Sequence, residues 1–318
     1  AFGMDLGVKL GAVPVPGYEI GNLLSVEDIG PHEYNNGTLT VQPGSDRGPV
    51  ILEKNGLVYT CRGGFIDLAH IRDNADLALF LSWGIMPLLP GGGAVDLPSS
   101  DGARRRVVIK AVPRALLERY GRARVATVLA EWAALRLSVW HEIATWYGYE
   151  TVAGISERES AFTPEDLYSN LLGIKLSVGI FRSGGARSRD AYNHAMDDWI
   201  KAALTRLVPL PKEVGRQAMQ ALDGLWWDSK RRVPEFELVT RRSLDYQPPL
   251  RPWRVGDAMA EERVPAAVRV GCAKAPPPLS LDDEDRLGGN AVAEIVNVEL
   301  LLEEGWKPPS FPLPEGHS

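Results

Sequence analysis

The sequence predicts a mainly helical α+β fold, built as one domain with long irregular N- and C-terminal segments. Three observations predict it. Residues 1–60 are rich in Gly, Pro and Asn and offer only short β-type runs. Between residues 61 and 227, apolar residues recur at helical spacing in several long stretches. From residue 228 onward, Pro-rich runs such as Pro248-Pro249 and Pro276-Pro277-Pro278 mark an extended wrap around that core with one or two strands.

The elements follow in order. Thr38–Val41 and Gly56–Thr60 read as small strands, and Asn36-Gly37 as a turn, although Asn36-Gly37-Thr38 also fits a glycosylation triplet. A helix is expected from Phe65 to Leu81, with Leu68, Ile71, Ala75 and Ala78 on an apolar stripe and Asp67, His70 and Asn74 on a polar one. Pro87 to Gly102 reads as loop and Arg106–Val112 as a strand. A long helix then starts near Arg114 or Arg122 and runs to Trp146, with the stripe Val125, Val128, Leu129, Trp132, Leu135, Val139, Ile143, Trp146. Thr151-Val152 reads as a small strand. Thr163-Pro164-Glu165-Asp166 has the N-cap, first-position proline and third-position acid of a helix start, and that helix continues to Phe181. Helices near Ser188–Leu207 and Pro211–Trp227 follow, then a strand at Glu235–Thr240. Ala291–Leu302 reads as a strand or a short helix.

Composition excludes some functions. Of 318 residues, 45% are hydrophobic and 24% charged, ordinary for a globular chain with a sizeable core. The net charge is −6 and Arg104-Arg105-Arg106 is too short a basic run for a nucleic-acid footprint. No apolar run reaches the roughly 18–20 residues that cross a bilayer. The N-terminal stretch AFGMDLGVKLGAVPVPG has no signal-peptide pattern, and the chain starts without Met, as an export-processed product would. Cys61 and Cys272 are either one long-range disulfide, if the protein is exported, or two buried thiols. The sequence does not fix the oligomeric state.

The chemistry candidates centre on VWHEIATWYGYE, Val139 to Glu150. Residues seven apart on a helix differ in direction by only about 20°. Glu142 is seven after Leu135 and fourteen after Val128, so it lies within the apolar stripe, with His141 beside the same face. A carboxylate there must pair, bind a cation or hold its proton. The plainer reading is a structural glutamate satisfied by an arginine or backbone donors. His70 follows the turn-forming Gly63-Gly64, and Asp67, one turn earlier, is placed to orient it or share a metal. Arg72 adds charge nearby, and an ordinary polar helix face is the plainer reading. In the third block, Asp166, Asn170, Gly173 and Ser177 fall on one polar-small stripe that lets a neighbouring helix come close. Asp166 is also the natural capping acid.

Known motifs fit poorly. A zinc-protease HExxH needs His at position 145, where this chain has Thr145. Neither Gly-x-Ser-x-Gly nor a phosphate loop is present, since Gly91-Gly92-Gly93 lacks the lysine. The helix end followed by GYETVAGI resembles the helix-to-hairpin transition of phage-type lysozymes over about fifteen residues. That resemblance implies Glu142 as the acid and Glu150 or Thr151 as its partner, but the Gly-Ile-Gly-His expected there is replaced by Gly154-Ile155-Ser156-Glu157.

A wider resemblance rests on three blocks: YTCRGGFIDLAHIR (Tyr59–Arg72), WHEIATWYG (Trp140–Gly148) and SAFTPEDLYSNLLG (Ser160–Gly173). They resemble the signature blocks of a family of uncharacterised bacterial proteins, domain of unknown function 4056. The resemblance implies export or lipid anchoring, hence a periplasmic or outer-membrane location, and supplies no reaction.

The expectation is therefore an exported hydrolase of a cell-envelope glycan or peptide polymer. Its catalytic set is Glu142 as general acid/base with His141, His70 and Asp67. Arg72, Ser160, Asp166, Asn170 and Tyr147 are expected to bind substrate. His70, His141 and Glu142 are the expected ligands if a divalent metal such as zinc is bound. The rival expectation is a noncatalytic envelope module in which the same residues form a buried polar network.

Overall fold

The computed structural model describes residues 23–37, 53–98, 105–148, 158–228, 230, 240–282 and 299–302. The fold is mainly helical α+β. The described elements are β1 (Leu57–Thr60), β2 (Gly64–Asp67), α1 (Leu68–Ile85), β3 (Gly93–Asp96), β4 (Arg105–Ile109), α2 (Arg114–Tyr120), α3 (Arg122–Trp146), α4 (Asp166–Arg182), α5 (Arg189–Leu207), α6 (Lys212–Ala221), α7 (Val255–Ala258), α8 (Ala266–Cys272) and β5 (Glu299–Leu302). The strands expected at Thr38–Val41 and Thr151-Val152, most of that at Glu235–Thr240, and the first part of Ala291–Leu302 lie outside the described residues, as do Thr38, Glu150, Thr151 and Gly154–Glu157.

The long helices fall where the apolar periodicity places them, and local chemistry sets their ends. Asp67 caps α1 by accepting the backbone N–H groups of Ala69 (2.7 Å) and His70 (3.2 Å). Gly121, at φ 80°, separates α2 from α3, so the expected alternative starts at Arg114 and Arg122 are both real. At the head of α4, Asp166 Oδ2 accepts the Thr163 N–H at 2.6 Å, the back-bond that the Thr-Pro-Glu-Asp pattern predicts, although regular helix begins only at Asp166. Ser188 caps α5 through the Ala191 N–H. The expected Pro211 helix is shorter than its periodicity suggested and stops at Ala221.

Two corrections concern strands. Gly93–Asp96, within the expected loop, is an edge strand paired antiparallel to β4, with only Val95 buried. Its Gly and Asp content hides it, because an exposed edge strand needs little apolar alternation. Residues 65–67, expected to open the helix, instead belong to β2, the return arm of a hairpin with β1. The C-terminal run is strand where described: β5 pairs with β4 antiparallel, Arg105 opposite Leu302.

α1, α3 and α4 pack on one another and hold the larger apolar core. A smaller core gathers around α6 and α8. The β1–β2 hairpin lies between them and serves both through strand alternation. Val58 and Ile66 enter the larger core, while Leu57, Tyr59 and Phe65 enter the smaller. A Cys61–Cys272 disulfide, with Cα atoms 5.3 Å apart, closes the smaller core across 211 residues of sequence. No helix among the described residues is long and apolar enough to cross a membrane.

Candidate functional site

The tightest approach in the helical core is between α1 and α4. At Gly173 a Cβ would come 2.1 Å from the Ile71 carbonyl oxygen, so only glycine allows the two helices this separation. The polar-small stripe expected of α4 thus does admit a neighbour, and that neighbour is α1. One turn further along, Asn74 Nδ2 donates to Asn170 Oδ1 (2.6 Å) and to the His70 carbonyl oxygen (2.9 Å). Asn170 therefore faces Asn74 rather than Glu142.

Above the Asn pair, three helices bring ionisable groups to one point. His70 comes from α1, Glu142 from α3 and Asp166 from α4, and one donor atom of each lies within 4.8 Å of the other two. All three are buried, with relative exposures of 6%, 3% and 0%. His70 Nε2 is 3.5 Å from Glu142 Oε1 and 3.5 Å from Asp166 Oδ1. Its other nitrogen, Nδ1, is 3.1 Å from Asp67 Oδ2, so Asp67 both caps α1 and forms an ion pair with the ring at the one-turn spacing the sequence predicts. The Asp67 N–H is itself held by Ser169 Oγ on α4.

Each carboxylate is anchored through its far oxygen. Glu142 Oε2 accepts the Phe162 N–H at 3.0 Å. Phe162 sits at φ 57°, the left-handed region that a bulky side chain avoids. Strain of this kind costs about 1–3 kcal/mol and persists where surrounding structure over-determines it. Here it turns the N–H toward a buried carboxylate. Asp166 Oδ2 takes the Thr163 N–H, and Oδ1 lies 2.7 Å from Thr163 Oγ1. Thr163 Oγ1 is also 2.9 Å from Glu165 Oε1. One hydroxyl proton serves only one of those oxygens well. A proton on Asp166, donated to Thr163 while Thr163 donates to Glu165, satisfies both contacts.

The electrostatics agree. Burial alone pushes the Asp166 carboxyl up, the charge of Glu142 adds to this, and the group is held well above the usual carboxylate range. Glu142 is also desolvated, but hydrogen bonding to His70, the charges of His70 and His141, and the Phe162 N–H outweigh burial and hold it below its ordinary value. Burial pulls the His70 imidazole down. The charges of Asp67 and Asp166, with hydrogen bonds to Asp67 and Glu142, overcome it and leave the ring well above the usual histidine range. Two neighbouring carboxyls pushed in opposite directions around one imidazole are suited to acid–base work.

The remaining expected residues are distributed differently. His141 is half-buried and is not one of the three converging donors; it acts on Glu142 only as a nearby charge. Tyr147, the C-cap of α3, is half-buried, and Ser160 is buried in the turn that leads to Phe162. Arg72 points away from the cluster. It is 1% exposed and donates to the carbonyl oxygens of Lys54 (3.1 Å) and Gly30 and to Asn55 Oδ1 (2.8 Å), so it ties the N-terminal segment to α1.

Sequence reasoning missed a second buried histidine. His32 Nδ1 is 2.8 Å from Glu53 Oε1 and Nε2 is 2.9 Å from Asp76 Oδ1 on α1. The available signal was Arg72 and Asp76, four apart, an ionic pair of positions outside the expected polar stripe of that helix. A groove of about 560 Å³ between α4 and α5, lined by Leu172, Leu176, Trp199, Ala203 and Leu279 among others, shares no residue with the cluster.

A family model described as Protein of unknown function (DUF4056) matches residues 1–255. The chain belongs to this family. All three blocks that carry the cluster, Tyr59–Arg72, Trp140–Gly148 and Ser160–Gly173, fall inside the matched region. No curated protein and no solved structure matches the chain.

Proposed function

We propose that this member of the DUF4056 family is an exported hydrolase acting on a glycan or peptide polymer of the cell envelope. Its reaction centre is the His70–Glu142–Asp166 cluster, with Glu142 as the carboxylate that activates the attacking water and Asp67 as the residue that positions His70. The carrying observation is the convergence of three buried ionisable side chains from three separate helices, with Glu142 held by a backbone N–H that a strained Phe162 presents. The Cys61–Cys272 disulfide supports an oxidising, exported setting. Tyr147 and Ser160, both following Glu142 in the chain, are the proposed substrate contacts.

The test compares wild type and Glu142→Gln on a panel of envelope glycans and peptides. The expected result is turnover by wild type, a loss of about 10²–10⁴-fold in the variant, and little change in melting temperature. No turnover by wild type on any polymer, together with a sharp fall in the variant's melting temperature, sinks the hydrolase reading. The cluster would then be the buried network of a noncatalytic envelope module.

A further inference from the structure

The spacing inside the cluster is long for hydrogen bonds and suits ligands of a common ion. A charge-assisted N–H···O bond in a buried site closes to about 2.7–2.9 Å. His70 Nε2 instead stands 3.5 Å from Glu142 Oε1 and 3.5 Å from Asp166 Oδ1, equidistant from both. Atoms bound to one tetrahedral ion at about 2.0–2.2 Å lie about 3.3–3.6 Å apart. The same molecule supplies the control: His32, equally buried between two carboxylates, is clasped at 2.8 and 2.9 Å.

The surroundings of the three donors match as well. Asp67 lies behind His70 on the Nδ1 side, the carboxylate–histidine relay that orients a metal-bound ring. The outer oxygens of Glu142 and Asp166 are occupied by the backbone N–H groups of Phe162 and Thr163, and Oε1 and Oδ1 both face His70 Nε2. Asp166 Oδ1 also touches Thr163 Oγ1 at 2.7 Å, so ligation replaces the Asp166 proton with the cation. We infer that this point is a divalent-cation site of the zinc class, with His70 Nε2, Glu142 Oε1 and Asp166 Oδ1 as its three protein ligands and a fourth position open to water.

The inference rests on the proposed reaction centre and deepens it. Asp166 takes the place that sequence reasoning gave to His141. The cation stabilises the buried carboxylates and lowers the pKa of its water, so that water activation passes through the ion with Glu142 as an anionic ligand.

The test reads metal rather than activity. The full chain is purified without chelators and its metal content measured; chelator-stripped protein is then titrated with zinc chloride by calorimetry. One zinc per chain and a raised melting temperature are expected. Bound zinc should be lost from His70→Ala and Asp166→Asn, be retained by His141→Ala, and be held about 10–100-fold more weakly by Asp67→Asn. Folded wild type that binds neither zinc nor manganese overturns the inference, as does zinc retained by Asp166→Asn but lost from His141→Ala. The wild-type titration needs no variant to fold. Zinc bound without turnover on any polymer removes the hydrolase and keeps the site. Turnover abolished by Glu142→Gln in a metal-free chain removes the site and keeps the hydrolase.

Discussion

Helix α1 meets two buried histidine environments, one at its start and one at its middle, and the two are built to opposite specifications. Toward its middle, Asp76 reaches His32, whose ring is also bonded to Glu53; both nitrogens are satisfied at hydrogen-bond distance. Arg72 and Asn35 extend that network, Asn35 through its N–H to Asp76 Oδ2 at 2.6 Å. At the start of the helix, His70 has Asp67 against one nitrogen at 3.1 Å and two carboxylates at 3.5 Å from the other. Burial is similar, so burial alone does not distinguish a structural ion cluster from a functional one. The closed distances do. The first cluster spends its polar groups on one another; in the proposed cation site, the second keeps one direction for a ligand.

The largest effect should come from breaking the closed cluster. Asp76→Ala leaves a buried imidazolium with half its counter-charge, which costs about 3–5 kcal/mol. Urea unfolding measures this, and a loss below about 1 kcal/mol would erase the distinction between the two histidines.

The pH dependence of the His32 cluster comes next. Burial works to lower the His32 pKa, but the charge and hydrogen bond of Asp76, then those of Glu53, raise it from 6.5 to about 9. Below about pH 6.5 the proton is present in folded and unfolded chains alike, and the pairing contributes in full. As pH rises through about 9 the folded chain loses the proton, and the contribution goes with it. At about 1.4 kcal/mol per pH unit, this shift is worth up to about 3 kcal/mol. Unfolding of wild type and His32→Gln between pH 6 and 10 should show a stability gap that narrows with rising pH. A gap independent of pH would mean that His32 is buried neutral.

The smallest effect sharpens the helix geometry beneath the open cluster. Gly173→Ala drives a methyl into the Ile71 carbonyl and should cost about 1–3 kcal/mol by overpacking. It should also push α4, and Asp166 with it, away from His70. An unchanged melting curve would show that the α1–α4 contact is looser than described.

Much of the helical core was legible because its period is written in apolar residues, such as Leu68, Ile71, Ala75 and Ala78 on α1. Glu142 was legible as a carboxylate inside such a stripe. Asp166 was legible as a capping acid and as a member of the polar stripe expected to bind substrate, and it is both a cap and a member of the cluster, because the turn that needs its carboxylate also faces α1. The identity of the third converging group was not legible: His141 is adjacent to Glu142 in sequence, but neighbours on a helix point about 100° apart. Phe162 and Thr163 act through backbone N–H groups, which leave no mark in residue type. The His32 cluster was hidden for a related reason. It joins residues 32, 53 and 76 from segments with no shared periodicity.

The cystine between Cys61 and Cys272 reaches past the limit of the family match at residue 255. Trimming the chain to its recognisable family region would therefore leave Cys61 as an orphan thiol on the hairpin that feeds directly into His70. It would also strip α8, whose Val268 packs in the smaller core, from beneath that hairpin. The boundary of recognisable ancestry and the boundary of the mechanical unit are different places in this molecule, and work on its chemistry has to respect the second.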